Sequence, residues 1–212
     1  MGKTIGPCAI DYGIHALTGS LATPDADAAA RRTAQAVDAL RHGWPVMLDG
    51  GPVLQPVETA YRAGLLVDTL LISASRAATL KLVIQREAAV PGAPVLLRGA
   101  DPFDLSAALA VADPSMDLDV PMKGPFKALP LEWHDQAQAA LELARIAGIL
   151  PAFMVAPSGA EEPVMLSSAD LAAYTDPTRL MIATRARLPV AAANGADTEI
   201  IAFRSPDDTR EH

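Results

Sequence analysis

ALRHGWPVMLDGG, residues 39–51, contains the end of a helix, a one-glycine turn, a short apolar strand and then two glycines where a reactive loop is expected. So short a connection forces the strand to pack back against the helix before it. Upstream, Thr23 fits an N-cap, with Pro24 at the first helical position and Asp25 and Asp27 in the positive first turn, so a helix is predicted over 23–42. Ala30, Thr33, Ala34, Val37, Leu40 and Arg41 recur at three- and four-residue spacings and define its core stripe, with Arg31, Gln35 and Asp38 facing water. Gly43 supplies the left-handed C-cap.

The same alternation continues downstream. A buried strand is predicted near 69–74, a helix capped by Ser75 through about Gln85, a strand at 94–98 and a helix within 102–113 that Pro114 ends. Residues 113–130 lack any period and read as an exposed loop. Trp133 to Ala147 carries the strongest helical pattern, with Ala137, Ala140, Leu141, Ala144 and Ile146 inward and Gly148 as terminator, followed by the strand ILPAFMVA. A short strand at 164–166, a helix capped by Ser167 or Ser168 and a strand RLMIATR complete an α/β layered fold.

Composition sets the outer limits. The 212 residues are 50% hydrophobic and only 20% charged, enough to bury a full core in one domain or in one domain plus a fragment. Aromatics are only 4%, which suits helices packed on a sheet better than a small sandwich, and 18 prolines imply short elements joined by stiff turns. A net charge of −8 with 17 scattered basic residues argues against nucleic-acid binding. The single cysteine, Cys8, excludes an intrachain disulfide and a multi-cysteine zinc site. No run reaches the roughly 18 apolar residues of a membrane span, and the N-terminus does not resemble a secretory signal, so the expected location is the cytoplasm.

No phosphate-cradling glycine loop, G-x-S-x-G elbow or HExxH helix occurs, which leaves isolated polar residues as chemical candidates. His134 and Asp135 open the strong helix and could hold a metal or act as base and orienter, but a carboxylate there is equally explained by the helix dipole. His42 in a last helical turn is ordinary dipole compensation. Asp49 lies at the carboxyl edge of a strand, where α/β proteins place reactive groups, although Asp-Gly-Gly is also the spelling of a tight reversal. Trp44 and Trp133 flank helix ends as packing anchors.

The order ALRHGWPVML, ISASRAATLKL and ALELARIAGILPAFMV resembles dihydroxybutanone phosphate synthase, which makes the four-carbon riboflavin precursor from ribulose phosphate. The likeness runs from about Thr33 to Pro189 and implies a layered α/β/α fold with a mixed sheet, and active sites near a homodimer interface. The family's acidic magnesium run, resembling D-D-E-D-R-E-N-E-G-D, is replaced here by DGGPVLQPVET. Only Asp49 and Glu58 remain, nine positions apart, whereas a hard divalent cation needs several convergent oxygens. The family's G-H-T-E-A motif is replaced by WHDQAQAA: an ungapped count places Gln136 and Gln138 on its His and Glu, and a two-residue shift places His134 and Gln136 there. In either register the carboxylate has become an amide, which takes no proton at neutral pH.

The last fifteen residues, TEIIAFRSPDDTREH, resemble the opening strand and turn of GTP cyclohydrolase II, a domain that follows a synthase domain in many bacteria. Its zinc site needs three cysteines, so this chain alone is expected neither to open GTP nor to carry a cofactor, and to be cut from a longer polypeptide. The resemblance implies an N-terminal extension at 1–22, a synthase-like domain at 23–190, and a linker with the first cyclohydrolase strand at 191–212. The expected role is structural, dimerising or regulatory, with a second copy and a cyclohydrolase domain as partners and no catalytic, cofactor-binding or metal residue assigned. The alternatives are an active synthase with a metal site rebuilt from His134, Asp135 and Asp49, and an unrelated small-molecule-binding α/β domain.

Overall fold

Small apolar residues at helical spacing dock α1 (Pro24–Arg41) onto a sheet, and its last turn sets the first strand. The computed structural model describes residues 24–61, 64–156, 162–188 and 198–206, so the expected Thr23 cap and Cys8 lie outside the described residues. The chain continues through β1 (Val46–Leu48), β2 (Val53–Pro56), β3 (Val67–Ile72), α2 (Ala74–Thr79), β4 (Val95–Phe103), α3 (Leu105–Ala112) and β5 (Lys127–Leu129). It then forms α4 (His134–Ala147), β6 (Ala152–Ala156), β7 (Val164–Leu166), α5 (Ser168–Tyr174), β8 (Met181–Arg187) and β9 (Glu199–Arg204).

Seven strands form one mixed sheet in the order β5-β4-β3-β6-β2-β1-β7. Only the β1–β7 pair is parallel; the other neighbours are antiparallel. Period-two alternation sends Leu71 and Phe153 to one face, where Val37 and Leu40 of α1, Leu143 and Ala144 of α4 and Leu171 of α5 cover them. Leu70, Ile72 and Met154 face the other side, covered by Ala77 of α2, Ala108 and Val111 of α3 and Leu82. The architecture is therefore α/β, with helices on both faces of a mixed sheet.

Four local expectations are corrected. The cap of α2 is Ser73, whose side chain accepts from Arg76 N, and α2 stops at Thr79 because Lys81 turns left-handed (φ 59°). Residues 113–130 are not a plain loop: β5 pairs Leu96–Arg98 and so forms one sheet edge. DGGPVLQP is the turn and return strand of a hairpin, not a reactive loop, with Pro52 before β2 and Pro56 at its end, where Phe153 of β6 is its partner and no β1 residue lies opposite. Arg41 is exposed, while Ala36 and Ala39 complete the buried stripe of α1. RLMIATR forms β8 but does not join the main sheet; it pairs antiparallel with β9 in a separate two-stranded sheet whose residues are largely exposed.

Helices α1 and α5 are joined by an ion pair: Arg32 donates through Nε (3.1 Å) and Nη2 (2.5 Å) to Oδ1 of Asp170. Asp170 also closes a capping box with Ser167. The Arg32 hydrogen bond, aided by the Ser167 N–H, holds the Asp170 carboxyl below the usual carboxylate range. Because the folded value is the lower one, this contact stabilises fully above the unfolded value of about 3.9 and loses its contribution as pH falls through the folded value. The measured stability difference between the native chain and Asp170→Asn is expected to shrink on acidification; a pH-independent difference in urea midpoints would refute the assignment.

Gly43 ends α1 with φ +74°, and a Cβ there would lie 2.2 Å from the carbonyl oxygen of Thr59. Gly43→Ala meets both a left-handed backbone and a backbone clash, so a loss on the order of 2 kcal/mol or more is expected in denaturant unfolding.

Candidate functional site

The turn after β1 is built by two successive left-handed residues, Asp49 (φ 47°) and Gly50 (φ 69°). Gly51 N donates to Leu48 O at 2.8 Å, which closes the reversal in the manner of a type I′ hairpin. A Cβ on Gly51 would sit 3.0 Å from that same carbonyl oxygen and 3.3 Å from Cγ of Gln136 in the first turn of α4. The fold thus brings the Asp-Gly-Gly turn and the WHDQAQAA segment together, although 85 positions separate Gly51 from Gln136.

The carboxylates near this place serve the backbone. Asp49 accepts from Ser168 N (3.1 and 3.2 Å) and from the Ser168 hydroxyl, so it anchors the first turn of α5. Glu58 lies beyond the other end of β2 and accepts from Leu150 N, in the connection between α4 and β6. His134 and Asp135 are exposed in the first turn of α4. His42 is exposed, with its Nδ1 2.8 Å from Asp38 O and its ring stacked on Trp44 at 5.2 Å. Trp133 is half-buried at the N-cap of α4 and packs on the core.

These donors do not fit a magnesium site. Asp49 and Glu58 occupy opposite ends of one strand, and each is held by main-chain N–H groups. Among the described residues no three His, Cys, Asp or Glu side chains gather closely enough to hold a metal. At this end of the sheet Asp49 caps the backbone, and Gln136 packs its side chain against Gly51.

A charged cluster that residue patterns did not reveal sits on α2. Arg76 is only 6% exposed; its Nε donates to Val111 O (2.6 Å), and Nη1 and Nη2 bind Asp117 as a fork at 2.7 and 2.6 Å. Lys123, whose side chain is 6% exposed, donates to the same carboxylate. These contacts hold the Asp117 carboxyl far below its usual range, chiefly through Arg76 and then Lys123. Asp117 and Lys123 line an open cavity of about 510 Å³ together with Leu82, Gln85 and Phe126. Its only sequence signal is an arginine inside a short helix of otherwise small, uncharged residues.

Comparisons of the chain with protein-family models, with curated proteins and with solved structures give no match.

If Asp49 serves as an anchor for α5, Asp49→Asn, which tolerates the left-handed turn and keeps an acceptor, should cost less than about 1 kcal/mol. Asp49→Ala loses the acceptor and strains the turn, and should cost more. Thermal unfolding with and without magnesium checks this: neither variant should alter the response to the ion, and a magnesium-dependent stabilisation lost on Asp49→Asn would contradict the anchor role.

Proposed function

We propose that this chain is a non-catalytic, dihydroxybutanone phosphate synthase-like domain that belongs with GTP cyclohydrolase II in riboflavin biosynthesis. The observation that carries this reading is the contact of the Asp-Gly-Gly turn with Gln136. The two segments that resemble the family's acidic run and its G-H-T-E-A motif, far apart in sequence, meet at one end of the sheet. That is the relation the resemblance requires of them. The layered α/β arrangement, with the strong helix α4 leading directly into the apolar strand β6, is in keeping with it.

The chemistry of that place supports a structural role. The acidic positions are replaced by a hairpin turn in which a side chain at Gly51 would press on Leu48 O and Gln136, and the proton-transfer carboxylate by an amide. The alternative metal site would need Asp49 to leave the α5 N-terminus and join His134 and Asp135. In this reading the domain works by holding a second copy of itself and a following cyclohydrolase domain in register, with β9 as the start of the latter.

Purified protein given ribulose phosphate and magnesium should form no four-carbon phosphate, and light scattering after size exclusion should report a dimer. Turnover that His134→Ala abolishes would overturn the proposal, and a strict monomer at high concentration would remove its dimerising role.

A further inference from the structure

Strand β3 runs antiparallel to β6, and β6 and β1 each run antiparallel to β2, so the carboxyl end of β3 lies at the opposite end of the sheet from the Asp-Gly-Gly turn. The cavity beside the end of α2 lies at neither of these places: Phe126 in its wall directly precedes β5, whose Lys127 is level with Arg98 and so with Thr69 of β3, at the β5 edge of the sheet and remote from β1 and β2. Its walls carry Lys81 and Lys123 against the single acid Asp117, with Arg76 directly behind that acid. Asp113 lends its carbonyl oxygen to Arg76 (3.4 Å) but turns its carboxylate onto Ser115 N (2.8 Å), outside the cavity lining.

Two features of this cluster go beyond packing. Arg76 binds Asp117 as a bidentate partner, and the nearly buried side chain of Lys123 folds onto the same carboxylate. Removing an ion from water costs several kcal/mol and is recovered only when opposite charge is supplied. Asp113, whose carboxylate lies within electrostatic range of Arg76 and Lys123, balances that pair together with Asp117, so the unmatched positive charge facing the concave surface is the one that Lys81 brings. Lys81, exposed at the rim with φ 59°, places a second ammonium group there, and among the described residues no carboxylate is within ion-pair distance of it.

We propose that this cavity binds a small phosphorylated compound, with the phosphate held by Lys123 and Lys81 while Asp117, clamped by Arg76, fixes the Lys123 ammonium. An ammonium has three protons and Asp117 takes one, leaving donors for phosphate oxygens. The volume of about 510 Å³ exceeds what a bare phosphate fills, and Leu80, Leu82 and Phe126 provide an apolar wall for the carbon skeleton. The site does not depend on the riboflavin reading, since it lies by the β5 edge of the sheet, remote from β1 and β2, and uses none of the same residues.

The test is titration of ¹⁵N-labelled protein with glycerol 3-phosphate, inorganic phosphate, glycerol and chloride at matched ionic strength. Saturable shifts centred on Lys81, Lys123 and Gly124 are expected for glycerol 3-phosphate, with weaker binding of inorganic phosphate and none for glycerol or chloride. Lys123→Gln and Lys81→Gln should each weaken binding about tenfold. Because Lys81 is exposed, its substitution leaves the fold intact and keeps the result interpretable should Lys123→Gln unfold. Equal or tighter binding of inorganic phosphate would assign the site to the free ion and overturn the organic ligand. Absence of saturable shifts, or shifts that the Lys81 substitution leaves unchanged, would overturn the site itself.

Discussion

The closeness of α1 to the chain that follows β2 is the constraint on which the rest of the structure depends. Gly43 packs so tightly on Thr59 that no Cβ fits, and the Thr59 hydroxyl donates to Leu40 O at 2.5 Å. Gln55, 2% exposed in the middle of β2, donates to Gly43 O at 2.5 Å, and Trp44 N donates to Ala39 O at 2.9 Å. Helix end, turn and hairpin are thereby one unit. Every polar group that this buried junction exposes finds a partner inside it, as low-dielectric burial demands. With β1 fixed against α1, the hairpin turn can only emerge beside the start of α4 and the start of α5.

That placement explains how two acids are used. A turn held against two helix N-termini sits in a positive field, and a carboxylate there is stabilised whether or not it does chemistry. Asp49 completes α5 through Ser168, and Glu58 completes the backbone where α4 gives way to β6. Both are committed to main-chain N–H groups that would otherwise lie unpaired. A catalytic carboxylate needs free acceptor positions aimed at a substrate; these two are aimed at their own fold.

Much of this was legible because it rests on local signals. The Pro24 start and Gly43 end of α1, the Asp104 cap of α3, the run of α4 and the Ser167 cap of α5 each follow from a cap, a dipole or a helical stripe within a few residues. The failures share a different cause. Ser73 and Ser75 are both acceptable caps, and what decides between them is the end of the β3 ladder at Ile72, paired with Ala152 and Val95. β2 was hidden because Pro52 and Pro56 punctuate it like a loop, although β1 lies opposite only Leu54 and leaves Pro56 without a ladder bond to lose on that side. Arg76 and Asp117 meet across 41 positions, a distance over which no periodicity carries information.

The Asp-Gly-Gly turn and the cavity beside α2 differ in kind. At the Asp-Gly-Gly end, each charge is matched by backbone donors, and Gly51 closes on Gln136 with no space between them. At the α2 cavity, a nearly buried lysine shares an acid with a buried arginine. The first arrangement leaves no charge free to meet a ligand, whereas the second holds a lysine on an acid at the wall of a cavity, where its remaining ammonium protons are available. Asp117 and Asp113 together match Arg76 and Lys123, which leaves Lys81 as the charge at the cavity without an acid within ion-pair distance among the described residues. The two places are thus built on opposite uses of charge, one turned inward to cap the backbone and one presented at a concave surface.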